Sequence, residues 1–195
     1  MLSKILAKWY VYLNSDILMD EFKVSKQVAK NYLYQLNKQG SIVRINTGIY
    51  IIKWVNISRE RIASLLYKKS YISLFTVLNQ AGILTQIYEK VFSVSQSHYS
   101  EITINDTVFV NFKGVNDYST GITYNKEWIL MADKERAFLD TLYLHFFSKH
   151  LIIDNELFIE SLDDQRIMSY LKIYPERIKD YYLKHIQWKK IINID

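Results

Sequence analysis

Residues 25 to 40 hold a group of side chains whose chemistry suits a polyanion. The group is cationic or amide-bearing, with one tyrosine, and consists of Lys26, Gln27, Lys30, Asn31, Tyr34 and Lys38. This stretch of the sequence has no aspartate and no glutamate. Lysines neutralise phosphates, and amide side chains can both donate to and accept from base edges. The spacing is typical of one helix face, so the segment predicts a surface for nucleic acid.

The sequence also marks where this helix begins and ends. Ser25 can act as its N-cap, because a serine hydroxyl accepts from the free amides of the first helical turn. Gly40 can end it, because glycine takes the left-handed C-terminal conformation without steric cost. On the face opposite the polar group, a buried stripe is predicted at Val28, Ala29, Leu33 and Leu36.

A β-hairpin is predicted directly after the helix. Residues 42–45 and 49–51 are rich in β-branched residues and flank the short link Asn46-Thr47-Gly48. A helix followed by glycine and a hairpin is the order of a winged helix-turn-helix, in which the helix enters the major groove and the hairpin lies against the backbone. The alternative is an ordinary helix–hairpin unit with a solvated polar face.

Two further helices are predicted before this segment. The apolar face of the first is formed by Leu2, Ile5, Leu6, Trp9 and Leu13. The second, shorter helix is capped by Ser15 or Asp16 and ends at Phe22, and Lys23 and Val24 form the turn that follows. Three helices and a hairpin within the first 52 residues fit the size of a winged helix.

The net charge is distributed unevenly along the chain. Residues 1–57 contain eight lysines and arginines and three acids, whereas the remaining residues contain 17 of each. The whole formal charge of +5 therefore belongs to the first 57 residues. A basic module on a neutral body favours phosphate binding by that module.

Composition excludes several classes of protein. The chain of 195 residues has 49% hydrophobic residues and no cysteine, so it can bury a core but cannot form disulfides or thiolate zinc sites. No apolar run approaches the ~18 residues of a membrane span, and the N-terminus lacks the pattern of a signal peptide. We therefore expect a cytoplasmic protein with no membrane contact.

Two domains are expected, residues 1–57 and 58–195, with the boundary near Asn56-Ile57-Ser58. After two helices, over residues 58–66 and 72–82, the period changes to two between Val91 and Met131, which predicts a small antiparallel sheet with one buried face. An apolar helix capped by Asp133 follows, and further helices are predicted at 155–162, 163–172 and 175–189. The predicted fold class is α+β: an N-terminal winged helix-turn-helix, then a mixed domain with a small antiparallel sheet and several helices.

Two segments of the second part resemble a known family. Tyr71-Ile72-Ser73-Leu74, with Val77-Leu78 and Gly82-Ile83-Leu84 behind it, resembles the helix that opens the C-terminal part of AbiEi-type antitoxins. The run from Ala132 to Leu142, ADKERAFLDTL, is similar to that family's signature of alanine, serine, proline, glutamate, lysine, alanine, two leucines and aspartate. Here Asp133 replaces the serine and Lys134 replaces the proline.

The resemblance implies a transcriptional repressor that binds its own promoter, as double-stranded DNA. It also implies an antitoxin that counters a nucleotidyltransferase-like toxin encoded beside it, without a tight complex between the two proteins. The alternatives are a protein-interaction module and a winged-helix regulator that has no toxin partner. An enzyme built on the second part is a third possibility, for which the sequence has no phosphate-binding glycine loop and no serine elbow. We therefore expect no catalytic residues and no cofactor.

Individual site residues follow from these patterns. Base contacts are predicted for the N-terminal half of the helix, at Ser25, Lys26, Gln27, Lys30 and Asn31. Contacts with the DNA backbone are predicted for Tyr34, Lys38, Arg44, Asn46 and Thr47.

Three charged residues in the helix after Asp133 have two interpretations. Glu135, Arg136 and Asp140 form either an antitoxic surface or a structural set, because Arg136 and Asp140 are spaced for an intrahelical pair. The histidines show no metal-ligand spacing, so no metal site is expected. Asp163-Asp164 is predicted to start a helix.

Overall fold

The computed structural model describes residues 10–86, 88–153 and 157–187. The chain divides into two compact units, the first ending at Ser58 and the second beginning at Arg59. This division lies one residue from the predicted boundary. Helices and two sheets occur together in the described residues, so the fold class is mixed α+β.

In its described residues, 10–58, the first unit combines two helices with a three-stranded sheet. Its elements are β1 (Tyr12–Leu13), α1 (Ser15–Phe22), α2 (Lys26–Lys38), β2 (Ile42–Asn46) and β3 (Ile49–Ile52). The sheet order is β1-β3-β2, and both strand pairs are antiparallel. The predicted hairpin is therefore confirmed as β2 and β3.

The helix predicted before α1 is wrong at its C-terminal end. Leu13 lies in β1, where it pairs with Tyr50 of β3, because the main chain is extended there to complete the sheet. The other residues of that prediction, Leu2, Ile5, Leu6 and Trp9, lie outside the described residues.

The N-cap of α1 is one residue earlier than predicted. Asn14, in an extended conformation, accepts a hydrogen bond from the Ile17 amide through Oδ1 at 2.8 Å. Ser15 and Asp16 already belong to the helix, so neither is its cap. After Phe22 the chain turns at Lys23, whose φ of +52° is in the left-handed region.

The apolar core of the first unit joins all five elements. Its buried members are Leu13, Leu18, Ala29, Leu33, Leu36, Ile42 and Ile52. Ala29, Leu33 and Leu36 form the predicted inner face of α2, but Val28 does not belong to it. Val28 is 40% exposed, because the residue before Ala29 on a helix points some 100° away from it.

The second unit builds a six-stranded sheet with helices before, within and after it. Its first elements are α3 (Arg59–Leu66), β4 (Tyr71–Ile72), α4 (Leu74–Gln80), β5 (Lys90–Ser95), β6 (Ser100–Ile104) and β7 (Thr107–Lys113). They are followed by β8 (Ile122–Tyr124), β9 (Leu130–Ala132) and α5 (Lys134–Phe147). The helix predicted from residue 72 starts two residues later, because Tyr71 and Ile72 pair with β5.

The sheet is mixed, so the prediction of an antiparallel sheet is wrong. The strand order is β6-β7-β5-β4-β9-β8, with β5 parallel to β7 and β4 parallel to β9. From β5 the chain crosses to the edge strand β6 and returns as β7 between the two. β5 is an interior strand that is buried on both faces, since five consecutive residues from Val91 are buried.

Later segments are shorter than the predicted helices. Of the helix predicted at 155–162, the described residues 157–162 form a 3₁₀ turn, Ile159–Ser161. The next predicted helix divides into α6 (Asp164–Tyr170) and a 3₁₀ turn, Leu171–Ile173. The helix predicted at 175–189 consists of α7 (Glu176–Tyr181) and a π turn, Tyr182–Gln187. The final two residues of this prediction lie outside the described part. None of the helices in the described part is long and apolar enough to cross a membrane.

Candidate nucleic-acid interface

Both ends of α2 are fixed by the residues that the sequence predicted. The Ser25 hydroxyl accepts from the Val28 amide at 3.5 Å. At the other end Gly40 has a φ of +71°, and the Ser41 and Gly40 amides donate to the Leu36 and Asn37 carbonyls, each at 3.0 Å. These two bonds form a Schellman motif, so the helix ends where the hairpin begins.

The structure brings the predicted polar group of α2 together on one exposed face. Its members, all exposed, are Lys26, Gln27, Lys30, Asn31, Tyr34 and Lys38. Tyr34 presents 61% of its surface. Among the described residues, none of the three lysines forms an ion pair, so their charges are available to a ligand.

Gln27 and Asn31 are coupled. Gln27 Nε2 donates to Asn31 Oδ1 at 3.2 Å, one helical turn along α2. This bond leaves an amide carbonyl on Gln27 and an amide N–H on Asn31 for other partners. An acceptor beside a donor is the pattern that matches N6 and N7 of adenine in the major groove.

The hairpin is tied to α2 through a residue that the sequence interpretation missed. Asn37 Oδ1 accepts from the Arg44 amide at 3.2 Å. Arg44 Nε donates to the Asn46 carbonyl at 3.2 Å, and Asn46 Oδ1 accepts from the Thr47 amide at 2.7 Å. Arg44 and Thr47 are exposed and Asn46 is half-buried. The one sequence signal that could have identified Asn37 is its position close before the hairpin.

Charge is separated within the described part of the first unit. All three acids, Asp16, Asp20 and Glu21, belong to α1. The cations lie after α1, at Lys23, Lys26, Lys30, Lys38, Arg44 and Lys53. The face of α2 therefore carries positive charge with no carboxylate on the same element.

The second group of predicted site residues is buried in the second unit. Glu135, Arg136 and Asp140 expose at most 1% of their surface. An exposed antitoxic surface formed by these side chains is therefore wrong, and the structural alternative describes them. Arg136 Nε pairs with Asp140 Oδ1 at 3.2 Å, at the predicted spacing of four residues.

Asp140 is the acceptor at the centre of a polar network. Its Oδ2 accepts from the hydroxyls of Tyr71 and Ser73, both at 2.9 Å. Its Oδ1 accepts from the Tyr174 hydroxyl at 2.6 Å as well as from Arg136. Burial, reinforced by the charge of Asp140, raises the pKa of Tyr71 and Tyr174 well above its ordinary value.

Arg136 is held by its remaining nitrogens as well. Nη2 donates to the Tyr71 hydroxyl oxygen at 2.9 Å and to the Asp117 carbonyl at 3.1 Å, and Nη1 donates to the Thr120 carbonyl at 3.3 Å. Burial is the largest single influence and opposes the charge of the guanidinium, but Asp140, Tyr174 and Tyr71 together outweigh it and raise the pKa of Arg136. Arg136 therefore stays charged inside the protein and joins α5 to the segment before β8.

Glu135 connects α5 to α6. Its Oε1 accepts from the Asp163 amide at 3.0 Å, and Asp163 in turn caps α6 by accepting from the Gln165 amide at 2.9 Å. The prediction that Asp163-Asp164 starts a helix is confirmed. Asp133 likewise caps α5, accepting from the Arg136 amide at 2.8 Å.

No group of three or more histidine, aspartate or glutamate side chains that could hold a metal occurs in residues 10–86, 88–153 and 157–187.

No protein-family model matches the chain, and no curated protein shows significant similarity to it.

Proposed function

We propose that this protein is a cytoplasmic DNA-binding transcriptional repressor that binds its own promoter and acts as the antitoxin of a toxin–antitoxin pair. The first unit is the DNA-binding domain, and α2 is its recognition helix. Its functional partner is a nucleotidyltransferase-like toxin, which this protein counters without acting as an enzyme. The observation that carries the proposal is the exposed cationic face of α2, which has no acid on its own element and continues into the polar tip of a hairpin.

The topology of the first unit supports a winged helix-turn-helix. α1 and α2 are joined by the turn Lys23 to Ser25, and the hairpin β2–β3 follows α2 directly. Turns of this length connect the two helices of a DNA-binding helix-turn-helix. Asn37 fixes the hairpin to α2, so both elements can meet one duplex together.

The chemistry of the face supports DNA over a protein partner. Lys26 and Lys30 lie one turn apart at the N-terminal half of α2, where recognition helices approach base edges. Gln27 and Asn31 supply the adjacent donor and acceptor, and Lys38 and Arg44 supply further cations. A surface of this kind neutralises phosphates while its amides read bases.

The resemblance to AbiEi-type antitoxins supports the role of the second unit. The two segments that carry it meet in space, because Tyr71 and Ser73 of the first donate to Asp140 of the second. Arg136, also in the second, donates to Tyr71. The two segments thus pack against each other through one buried polar network. We assign the antitoxic surface to exposed residues outside this network.

Fluorescence anisotropy with a labelled duplex from the region upstream of the gene tests the repressor function. We expect a dissociation constant of about 10⁻⁸ M or tighter at physiological salt, and binding weaker by about 10³-fold to a shuffled duplex of equal composition. Equal affinity for both duplexes would contradict the repressor function, because binding to phosphates alone carries no specificity. No binding to either duplex would favour the alternative, a protein-interaction module.

The antitoxin role is tested separately, by co-expression with the nucleotidyltransferase-like protein of the neighbouring gene. Restored growth is the expected result. Growth arrest despite the folded antitoxin would contradict this part of the proposal and leave the DNA-binding part standing.

A further inference from the structure

A cleft of about 320 Å³ lies in the second unit, where β7 and α5 end. His98 and Tyr99 reach it from the segment after β5, and Lys113 is the last residue of β7. β5 and β7 are parallel neighbours, so the cleft lies at the carboxyl ends of two parallel strands. Open sheets with parallel strands bind ligands at this edge, and the volume falls within the range of small-molecule sites.

Aromatic rings form two sides of the cleft. On the sheet side Tyr99 and Phe112 meet edge to face, with ring centroids 5.2 Å apart. On the helix side Tyr143 and Phe147 of α5 lie 5.1 Å apart, and Phe147 is 50% exposed. Phe112 is buried and forms part of the floor. Rings on both sides suit a flat, aromatic ligand.

Two contacts fix the orientation of Tyr99. Its ring stacks on His150 with centroids 3.9 Å apart and an angle of 6° between the planes. Its hydroxyl donates to Glu101 Oε2 at 2.9 Å. The Asn111 side chain donates to the His98 carbonyl at 3.3 Å and so holds the preceding residue. The sheet side of the cleft is therefore preorganised.

The charge around the cleft is positive. Lys113 contributes an ammonium group, and no described residue that lines the cleft carries a carboxylate. Glu101, which accepts from the Tyr99 hydroxyl, does not line the cleft and pairs with Lys90 at 3.8 Å. A ligand with an anionic group is complementary to this rim.

We propose that this cleft binds a small planar aromatic anion, a mononucleotide or an aromatic carboxylate. Its ring packs against Tyr143 and Phe147, and its anionic group meets Lys113. The cleft belongs to the second unit and the proposed DNA-binding face to the first, and the test of the cleft does not depend on the repressor function.

Isothermal titration calorimetry of the full chain tests the site with AMP and with salicylate, which represent the two sources of such a ligand. At least one is expected to bind saturably, with a dissociation constant of about 1 mM or tighter. The other arms are adenosine and inorganic phosphate, each of which lacks one of the two features. Both should bind at least about tenfold more weakly than AMP if AMP is the ligand.

Two variants test whether the ligand binds in the cleft. Phe147→Ala and Lys113→Ala should each weaken binding by about tenfold. Their matched controls are Phe158→Ala and Lys126→Ala, which remove an exposed ring and an exposed ammonium group outside the cleft and should leave binding unchanged. No saturable binding of either AMP or salicylate, or equal weakening by the controls, would overturn the proposal.

Discussion

Arg136 Nε lies 3.2 Å from Asp140 Oδ1, one helical turn along α5, and neither side chain is more than 1% exposed. The guanidinium therefore donates to the carboxylate in an environment that water does not reach. Removing Asp140 leaves the Arg136 charge without its buried counterion, which is far more costly than the loss of an exposed ion pair. The protein contains both a buried and an exposed arginine–aspartate pair, so the two costs can be compared within one molecule.

Asp140→Asn is expected to lower the free energy of unfolding by about 3–5 kcal/mol, because Arg136 keeps its charge, loses its buried counterion and retains only the partly exposed Asp117 carboxylate at 3.4 Å from Nη1. Urea denaturation followed by circular dichroism measures the change. The control is Arg166→Ala, which breaks the pair of an arginine that is 58% exposed with Asp133. That variant should cost less than about 1 kcal/mol. Equal losses in the two variants would contradict the role of burial.

Gly121 combines a left-handed backbone with close packing. Its φ is +67°, and an added Cβ would lie 2.8 Å from Arg136 Cβ and 2.7 Å from Tyr170 Cε2. Gly121→Ala should therefore cost about 1–3 kcal/mol for overpacking in addition to about 1–2 kcal/mol for the backbone. Gly82→Ala isolates the backbone contribution, since Gly82 has a φ of +70° and nothing within 4 Å of the added Cβ. A Gly121→Ala variant as stable as Gly82→Ala would show that the network can move aside.

The buried tyrosines predict that stability falls at alkaline pH. Burial and Asp140 raise the pKa of Tyr174 well above 10.0, so the folded state keeps a proton that the unfolded state loses. Stability is therefore fully present below about pH 10 and decreases as the pH rises further. Tyr174→Phe removes this contribution, so its free energy of unfolding should be lower at pH 8 but decline less steeply between pH 9 and 11.

Urea titrations at several pH values measure both slopes. Tyr124→Phe is the control, because Tyr124 is 62% exposed and lies outside the network. Its alkaline slope should equal that of the unmodified protein. An unchanged slope for Tyr174→Phe would indicate that the loss at high pH arises elsewhere.

The coupled amides of α2 predict a loss of sequence discrimination. Under the proposed repressor function, Gln27→Ala and Asn31→Ala should each cost about 1–3 kcal/mol of discrimination between the promoter duplex and the shuffled duplex. Their salt dependence should not change, since amides release no counterions. Because one amide orients the other at 3.2 Å, the double variant should lose less than the sum of the single losses. Additive losses would mean that the two side chains act independently.

Local patterning predicted the elements of the first unit better than those of the second. Ser25, Gly40 and the hairpin are short-range signals that the structure confirms, although Asn46 of the predicted link belongs to β2 and pairs with Ile49. Leu13 was assigned to a helix because its apolar spacing fits one, whereas pairing with β3 decides its conformation. Tertiary pairing is not encoded in local spacing.

The mixed sheet and the buried network depend on contacts that are distant in sequence. Alternation at Phe92 and Val94 predicts a strand but carries no information on its direction, so the parallel pair β5–β7 could not be derived. The Arg136–Asp140 spacing predicted the pair itself. Tyr174, which lies 34 residues after Asp140, had no signal that linked it to that carboxylate.

The salt dependence of DNA binding tests the central claim most directly. The measurement is the slope of log Kobs against log salt concentration for the promoter duplex, with the unmodified protein and Lys26→Ala/Lys30→Ala. If both lysines contact phosphate, the double variant should bind more weakly and its slope should be shallower by up to about two units. The control is Lys126→Ala/Lys172→Ala, which removes the same charge from exposed positions of the second unit and should leave the slope unchanged. Unchanged affinity and slope in the α2 variant would remove this helix from the interface and contradict the account.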